Sequence, residues 1–159
     1  MNDIGANSTV FPVRNPTAKK FGETIFYLKK PLQIETKNQV LDDILALLTK
    51  LDLMTDEMGI RLSLDEALSN SIIHGNKRDP HKNITIEVFY EGNRWGIIFE
   101  DEGEGFVPKV IPDFNDPETL LAEGGRGVFL MHHYMDTVVY CGRGNVIELT
   151  KTVVKEKNS

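Results

Sequence analysis

The sequence contains very little cysteine and no long hydrophobic run. Cys141 is the single cysteine among 159 residues, so an internal disulfide is excluded, and we expect an ordinary strand residue without chemistry there. The apolar runs are far shorter than the roughly 18 residues that a membrane-spanning helix needs. The N-terminus lacks the charged-then-apolar layout of a signal peptide. These absences predict a cytoplasmic protein with no membrane contact.

Basic residues are scarce as well. The chain has 18 Lys and Arg against 24 Asp and Glu, a formal net charge of −6. Direct binding of nucleic acid needs a concentrated basic face, and the sequence offers none. The composition is that of a globular protein, and the length suits one domain. We place this domain at residues 21–155, between a flexible N-terminal extension at 1–20, which could be a partner-binding arm, and a C-terminal tail at 156–159.

Hydrophobic periodicity predicts the order of helices and strands. Spacings of three and four residues indicate helices at 35–50, from Thr55 or Asp56 to 75, and at 128–136, while alternation indicates strands at 24–29, 84–90, 95–99, 137–141 and 145–153. Residues 107–123 include three prolines and little periodicity, and we interpret them as a lid. The predicted fold class is α+β, a two-layer sandwich whose mixed, mostly antiparallel sheet carries helices on one face.

Two polar residues share one face of the second predicted helix. Glu66 and Asn70 are four residues apart and lie away from its apolar stripe. An amide oxygen together with substrate phosphates is a suitable ligand set for Mg²⁺, and a nearby carboxylate can act as a general base. The alternative is a solvated helix face with a chance spacing. His74, one turn later, either lines the same pocket or is a hydrogen-bonded structural histidine.

The stretch FEDEGEGF, residues 99–106, ends an apolar strand in acids and glycines. A calcium loop does not fit, because Pro112 occupies the position of its bidentate glutamate. Asp101 could instead accept hydrogen bonds from an exocyclic amine, while Gly103 and Gly105 let the main chain approach a planar ligand. A plain acidic hairpin corner remains the alternative.

A second glycine cluster precedes the last predicted helix. Gly124, Gly125 and Gly127 stand where free N–H groups and the helix dipole can receive a phosphate, and Arg126 adds a positive charge. A flexible hinge would give the same pattern.

These motifs follow one another in a characteristic order. E-A-L-S-N-S-I-I-H-G-N is followed by D-E-G-E-G-F, by the proline-rich lid, and by G-G-R-G-V-F-L-M-H-H-Y-M-D. This order resembles the Bergerat nucleotide-binding fold shared by gyrase, Hsp90, histidine kinases and MutL (GHKL). Within that superfamily it is most similar to the bacterial anti-sigma-factor serine-protein kinases. The resemblance extends over residues 21–154.

The resemblance implies a site for ATP and Mg²⁺. Glu66 matches the catalytic base of the family, Asn70 its Mg²⁺ ligand, and Asp101 the aspartate that reads the adenine amino group. Gly103 and Gly105 match the lid hinges, and Asn145 stands where the family usually has a threonine that helps to bind adenine. The full ATP-binding set implied is Asn70, His74, Asp101, Gly103, Gly105, Phe106, Gly124, Gly125, Arg126, Gly127, Val128 and Asn145.

The resemblance also implies partners. Family members hold a sigma factor away from RNA polymerase, phosphorylate a serine on a STAS-type anti-anti-sigma protein, and commonly form homodimers. The leading hypothesis is therefore an ATP-dependent anti-sigma factor and serine kinase that switches between these two partners. The alternatives are a nucleotide-gated binding module without kinase turnover and a stand-alone histidine-kinase-type ATPase domain.

Overall fold

A computed structural model describes residues 20–105 and 125–154. The predicted elements within these ranges are confirmed with small shifts at their ends, whereas the predicted lid, Phe106 and Gly124 lie outside the described residues. The elements are β1 (Glu23–Pro31), α1 (Lys37–Lys50), α2 (Glu57–Asn70), a π-helical turn (Ser71–Gly75), β2 (Asn83–Glu91), β3 (Arg94–Glu100), α3 (Gly125–Tyr134), β4 (Thr137–Cys141) and β5 (Val146–Thr152). No helix in these two ranges is sufficiently long and apolar to cross a membrane.

The described strands form one sheet in the order β1-β2-β3-β5-β4. Every neighbouring pair is antiparallel, so the expectation of a mixed sheet is wrong for this part of the chain. For β2 and β3, the reason is that the tight turn Gly92-Asn93 joins them, with Gly92 at a φ of 61°. Tight hairpins link antiparallel strands, whereas a parallel pair would need a long crossover connection. The α+β class itself is confirmed.

The helices pack on one face of this sheet. The apolar stripes of α1 and α2 face the inward positions of the strands, and the fully buried side chains include Leu41, Ile44, Leu48, Ile60, Leu64, Leu68, Ile72, Ile84, Ile86, Trp95 and Phe99. Each such side chain contributes about 1.5–3 kcal/mol on burial. Asp56 begins α2, and its side chain accepts a hydrogen bond from the Gly59 N–H. The sequence left two candidates for this N-cap, Thr55 and Asp56, and the structure shows that it is Asp56.

Helix α3 lies antiparallel along one stripe of α2. A Cβ at Gly59 would come within 2.2 Å of the Tyr134 ring, so the close contact requires glycine. One turn later, the Ser63 hydroxyl donates to the Gly59 carbonyl at 2.9 Å and approaches the Leu130 carbonyl at 3.5 Å. Small residues on α2 thus let α3 approach closely, which sets the position of the α3 N-terminus.

Candidate functional site

Asp101 is a buried carboxylate at the carboxyl end of β3. The residue is 7% exposed, and its Oδ1 accepts a hydrogen bond from the Gly103 N–H at 2.8 Å. Its Oδ2 faces Gly75, where a Cβ would lie 2.3 Å from that oxygen. Burial raises the pKa of Asp101 to about 6, against the lowering effects of the Gly103 N–H and the Arg143 charge. Asp101 is therefore held in one orientation between Gly75 and Gly103; the sequence predicted the buried carboxylate but not the contact with Gly75.

The π-helical turn brings Gly75 to this carboxylate. The main chain continues from α2 through Asn70 into the π turn and ends beside Gly103, whose Cβ would lie only 2.1 Å from the Gly75 carbonyl oxygen. Single π turns inside helices are frequent at functional sites. The sequence predicted that Gly75 and Asn76 end the helix, but the widened turn before them was missed, since no residue pattern distinguishes it from α-helix.

Asn76 stabilises the segment around Asp101 through side-chain hydrogen bonds, a role that the sequence did not reveal. Its side chain is buried, donates from Nδ2 to the Asn83 carbonyl at 2.9 Å, and accepts at Oδ1 from the Glu102 N–H at 2.7 Å. The Asn83 N–H in turn donates to a Glu102 carboxylate oxygen at 3.0 Å. The H-G-N end of the first motif and the D-E-G start of the second therefore form one hydrogen-bonded unit.

The loop between β4 and β5 also forms hydrogen bonds with the segment around Asp101. The Asp101 N–H donates to the Asn145 carbonyl at 2.9 Å, and the Asn145 Nδ2 donates back to the Asp101 carbonyl at 3.0 Å. Arg143 was also missed by the sequence reasoning, and its Nε donates to the Gly103 carbonyl at 2.9 Å. Since the Asn145 amide nitrogen contacts the main chain, an adenine contact through its amide oxygen stays a prediction.

Glu66 and Asn70 lie half-buried on α2, as their spacing predicted. A Cβ at Gly127 would lie 2.3 Å from the Glu66 Oε2, so this carboxylate touches the first turn of α3. The prediction that the glycine cluster precedes the helix is wrong for Gly125, Arg126 and Gly127, because α3 already begins at Gly125. The first turn of a helix carries unsatisfied N–H groups, so phosphate binding at this end remains compatible with the geometry.

Two further predicted contacts lie at the margins of the site. Val128 is 8% exposed and belongs to the hydrophobic core, so a nucleotide contact there would involve its main chain. His74 lies in the π turn with an exposed side chain, and its two alternative roles, lining the pocket or acting as a hydrogen-bonded structural histidine, stay predictions.

We predict that Arg143 affects both the Asp101 carboxylate and the main chain at Gly103. In Arg143→Gln, loss of the charge is expected to raise the pKa of Asp101 above about 6, and loss of the hydrogen bond to Gly103 to weaken ATP binding by about two- to tenfold. ATP titrations between pH 5 and 8 measure both effects. Arg94→Gln removes the same charge from a guanidinium that stacks on Phe21, and serves as the control. Equal effects in the two variants would contradict a specific role for Arg143.

Comparison with known proteins places the site in a family. Residues 31–151 match the model of the histidine kinase-like ATPase domain. The anti-sigma F factor of Oceanobacillus iheyensis is 31% identical over 120 residues, covering 70% of this chain and 81% of that protein. The anti-sigma F factor of Geobacillus kaustophilus is 31% identical over 125 residues with the same coverage. The serine-protein kinase RsbW of Staphylococcus epidermidis is 32% identical over 107 residues, covering 61% of this chain and 66% of that protein.

The family match contains both parts of the site. Glu66 with the first turn of α3, and Asp101 with its glycines, lie inside residues 31–151. The chain therefore belongs to the histidine kinase-like ATPase family, in the branch of the anti-sigma factors and serine-protein kinases, as its motifs implied.

Proposed function

We propose that this chain binds a sigma factor and phosphorylates a serine of a STAS-type antagonist protein at the expense of Mg-ATP. The observation that carries the proposal is the continuous helical segment from Glu66 to Gly75. At its N-terminal end, Glu66 touches the first turn of α3, and at its C-terminal end, Gly75 touches the Asp101 carboxylate. The nine residue-to-residue steps of this segment span roughly 13 Å. This separation suits a ligand with a base at one end and a triphosphate at the other.

At the base end, the geometry fits an adenine ring. The Asp101 Oδ1 already accepts from Gly103, and its Oδ2 can accept the exocyclic amine of adenine. A side chain at Gly75 or Gly103 would collide with the Asp101 carboxylate or with the main chain beside it. These glycines thus let the π turn and the loop after β3 pack directly against the Asp101 carboxylate, which fixes the group that would meet the adenine amine.

At the phosphate end, the first turn of α3 supplies N–H donors and Asn70 supplies an amide oxygen. No three His, Cys, Asp or Glu side chains cluster into a metal cage among residues 20–105 and 125–154. Mg²⁺ at Asn70 would therefore rely on water and phosphate oxygens for its other ligands, as it commonly does. Its contribution would be to neutralise charge on the phosphates.

The contact of Glu66 with the first turn of α3 supports a role as the base. As the serine oxygen forms its bond to the γ-phosphorus, the bond from that phosphorus to the bridging oxygen breaks, and ADP leaves. Glu66 accepts the hydroxyl proton of the serine. Its carboxylate, at the first turn of α3, lies where the terminal phosphate would be held, so it can meet an incoming hydroxyl.

The partners are proposed from the relatives. Similar proteins are named anti-sigma F factor and serine-protein kinase, which supports a sigma factor as one partner and a protein serine as the phosphate acceptor. A STAS-type antagonist, a homodimer and a cytoplasmic location are part of this proposal.

The test is transfer of labelled γ-phosphate from Mg-ATP to each STAS-type protein of the source organism, together with capture of sigma factors by the chain with and without nucleotide. The expected result is label on a serine of one such protein, and its displacement of a bound sigma factor before phosphorylation. ATP-dependent capture of a sigma factor with no label on any candidate would instead establish a nucleotide-gated binding module.

A further inference from the structure

Five basic residues lie together at the end of the sheet where β2 begins. The group, which we call the basic surface, consists of Lys29, Lys30, Lys77, Arg78 and Lys82. Three of them are in the loop that joins the π turn to β2, and the other two are near the end of β1. The antiparallel register brings these segments together, because Lys30 pairs with Ile84 at the start of β2. Four of the five residues are exposed, and Lys82 is half-buried.

The positive charges of the basic surface are left for an outside ligand. None of the five residues forms an ion pair with another residue in the ranges 20–105 and 125–154. Two nearby carboxylates are engaged with main-chain N–H groups, since Asp79 accepts from His81 at 2.9 Å and Glu102 accepts from Asn83 at 3.0 Å. Glu100 also lies at this end of the sheet. The whole chain has a net charge of −6, so the excess of positive charge is local.

The backbone of the loop favours glycine at two positions of the basic surface. Lys77 and Arg78 have φ angles of 53° and 61°, in the left-handed region, where a residue with a side chain is less stable than glycine. The loop is fixed in this shape, because the Arg78 N–H donates to the Ile72 carbonyl at 2.9 Å and the Asp79 N–H to the Asn76 carbonyl at 3.0 Å. Both basic side chains are exposed, so packing does not explain them. Strained residues of this kind cluster at binding sites.

The basic surface adjoins the adenine end of the candidate site. Burial raises the pKa of Asp101, and the Lys82 charge is among the nearby groups that lower it. Glu66, at the phosphate end, lies nine helical steps before Gly75, roughly 13 Å away. Cations that serve the triphosphate would belong at that other end. The basic surface therefore suits a different acidic ligand.

We propose that the basic surface docks an acidic segment of the protein that this chain sequesters. The identity of that partner rests on the proposed function, whereas the surface itself does not. A partner held here leaves Glu66 and the first turn of α3 open to the serine of a second protein. Because the loop is already fixed, Asp and Glu side chains of the partner can pair with it at little ordering cost. Nucleic acid is less suitable, because its phosphates would also approach the acidic remainder of the chain.

The first test uses a fluorescent twelve-residue peptide of alternating Glu and Ser, which requires no identified partner. Its affinity is measured for the native chain, for Lys77→Gly with Arg78→Gly, and for the control Lys50→Gln with Arg61→Gln, which removes the same charge from the groove between α1 and α2. Glycine adopts the left-handed backbone readily, so the glycine variant should melt no lower than the native chain. We expect its affinity for the peptide to be at least fivefold weaker and that of the control to be native.

A second comparison covers the case in which the glycine variant does not fold. Lys29→Gln with Lys30→Gln changes the part of the basic surface on β1 and should also weaken peptide binding. Absence of peptide binding by the native chain, or equal affinities in these variants and the control, would overturn the proposal. Tighter binding of a twelve-residue oligothymidylate, weakened by the same substitutions, would overturn it in favour of a nucleic-acid surface.

The captured sigma factor is then tested with the same variants. The glycine variant should lose at least tenfold in affinity for it, while ATP affinity and phosphate transfer to the antagonist stay near native values. Loss of transfer with unchanged capture would overturn the proposal, because the phosphorylated protein would then be the one docked. Absence of sigma-factor capture by the native chain would contradict the proposed function and this partner, whereas the peptide measurement separately decides whether the surface binds an acidic chain.

Discussion

Glu66→Gln is expected to lower the rate of phosphoryl transfer by about 10²- to 10⁴-fold, the range typical for loss of a general base. Glutamine keeps the size of the side chain beside Gly127 but cannot accept the serine proton. ATP affinity should stay close to that of the native chain. Single-turnover transfer to the identified antagonist and a separate nucleotide titration measure the two quantities.

A neighbouring carboxylate provides the matched control for this experiment. Asp65 is on the same helix but pairs with Lys37 at the start of α1, away from the first turn of α3. Asp65→Asn removes the same charge and should transfer phosphate at nearly the native rate. Native turnover in Glu66→Gln, or an equal loss in both variants, would show that Glu66 is not the base.

Asp101→Asn is expected to weaken ATP binding by roughly 10- to 100-fold, since a hydrogen bond to a charged group contributes about 1.5–3 kcal/mol. The amide oxygen can still accept a hydrogen bond from the Gly103 N–H, so the segment after β3 keeps its conformation. Its nitrogen, however, would face the adenine amine as a second donor. It could instead donate to guanine O6, so the preference for ATP over GTP should shrink, and competition between the two nucleotides measures this.

The same carboxylate predicts a pH dependence of ATP affinity. The pKa of Asp101 is raised to about 6, so the carboxylate is mostly charged at pH 7 and becomes protonated as the pH falls through 6. At pH 5 the charged fraction is reduced by roughly tenfold, and affinity should fall accordingly. Because asparagine does not titrate, the pH profile of Asp101→Asn shows the effect of the nucleotide phosphates alone. A native profile parallel to that of the variant would contradict this assignment.

The effect on folding has the opposite sign to that of an ordinary aspartate. Because the pKa is higher in the folded than in the unfolded chain, the folded chain binds more protons between pH 3.8 and about 6. The contribution of Asp101 to the free energy of unfolding is therefore greatest below this window and is lost as the pH rises through it. The charged state useful for binding is the less stable one for the fold.

The sequence was sufficient where local pattern determines structure. The three- and four-residue spacing of α2 places Ile60, Leu64 and Leu68 in the core, and places Glu66 and Asn70 together on another face. The turn residues Gly92 and Asn93 predict the β2-β3 hairpin. The buried Asp101 after β3 followed from the conflict between a strand and the acids and glycines that end it.

Features that depend on long-range contacts were not predictable in this way. The approach of Gly127 to Glu66 joins residues 61 positions apart, and the bond from Arg143 to Gly103 joins residues 40 apart. The start of α3 at Gly125 was missed because glycine is a poor helix former, and tertiary packing against α2 overrides that preference. The burial of Phe89 and Ile98, on the sheet face opposite the helices, was missed because an apolar strand residue is compatible with either a covered or an exposed face.

The contact between α2 and α3 has a mechanical consequence. Gly59 and Ser63 present little side chain to α3, and the Tyr134 ring fills the space that a side chain at Gly59 would take. This fit opposes sliding along the helix axis as well as separation, because an axial shift would drive the ring against the neighbouring turn of α2. The first turn of α3 is therefore held beside Glu66 by a contact at the other end of the helix, so a larger residue at Gly59 would displace Gly127 from that carboxylate without touching either residue.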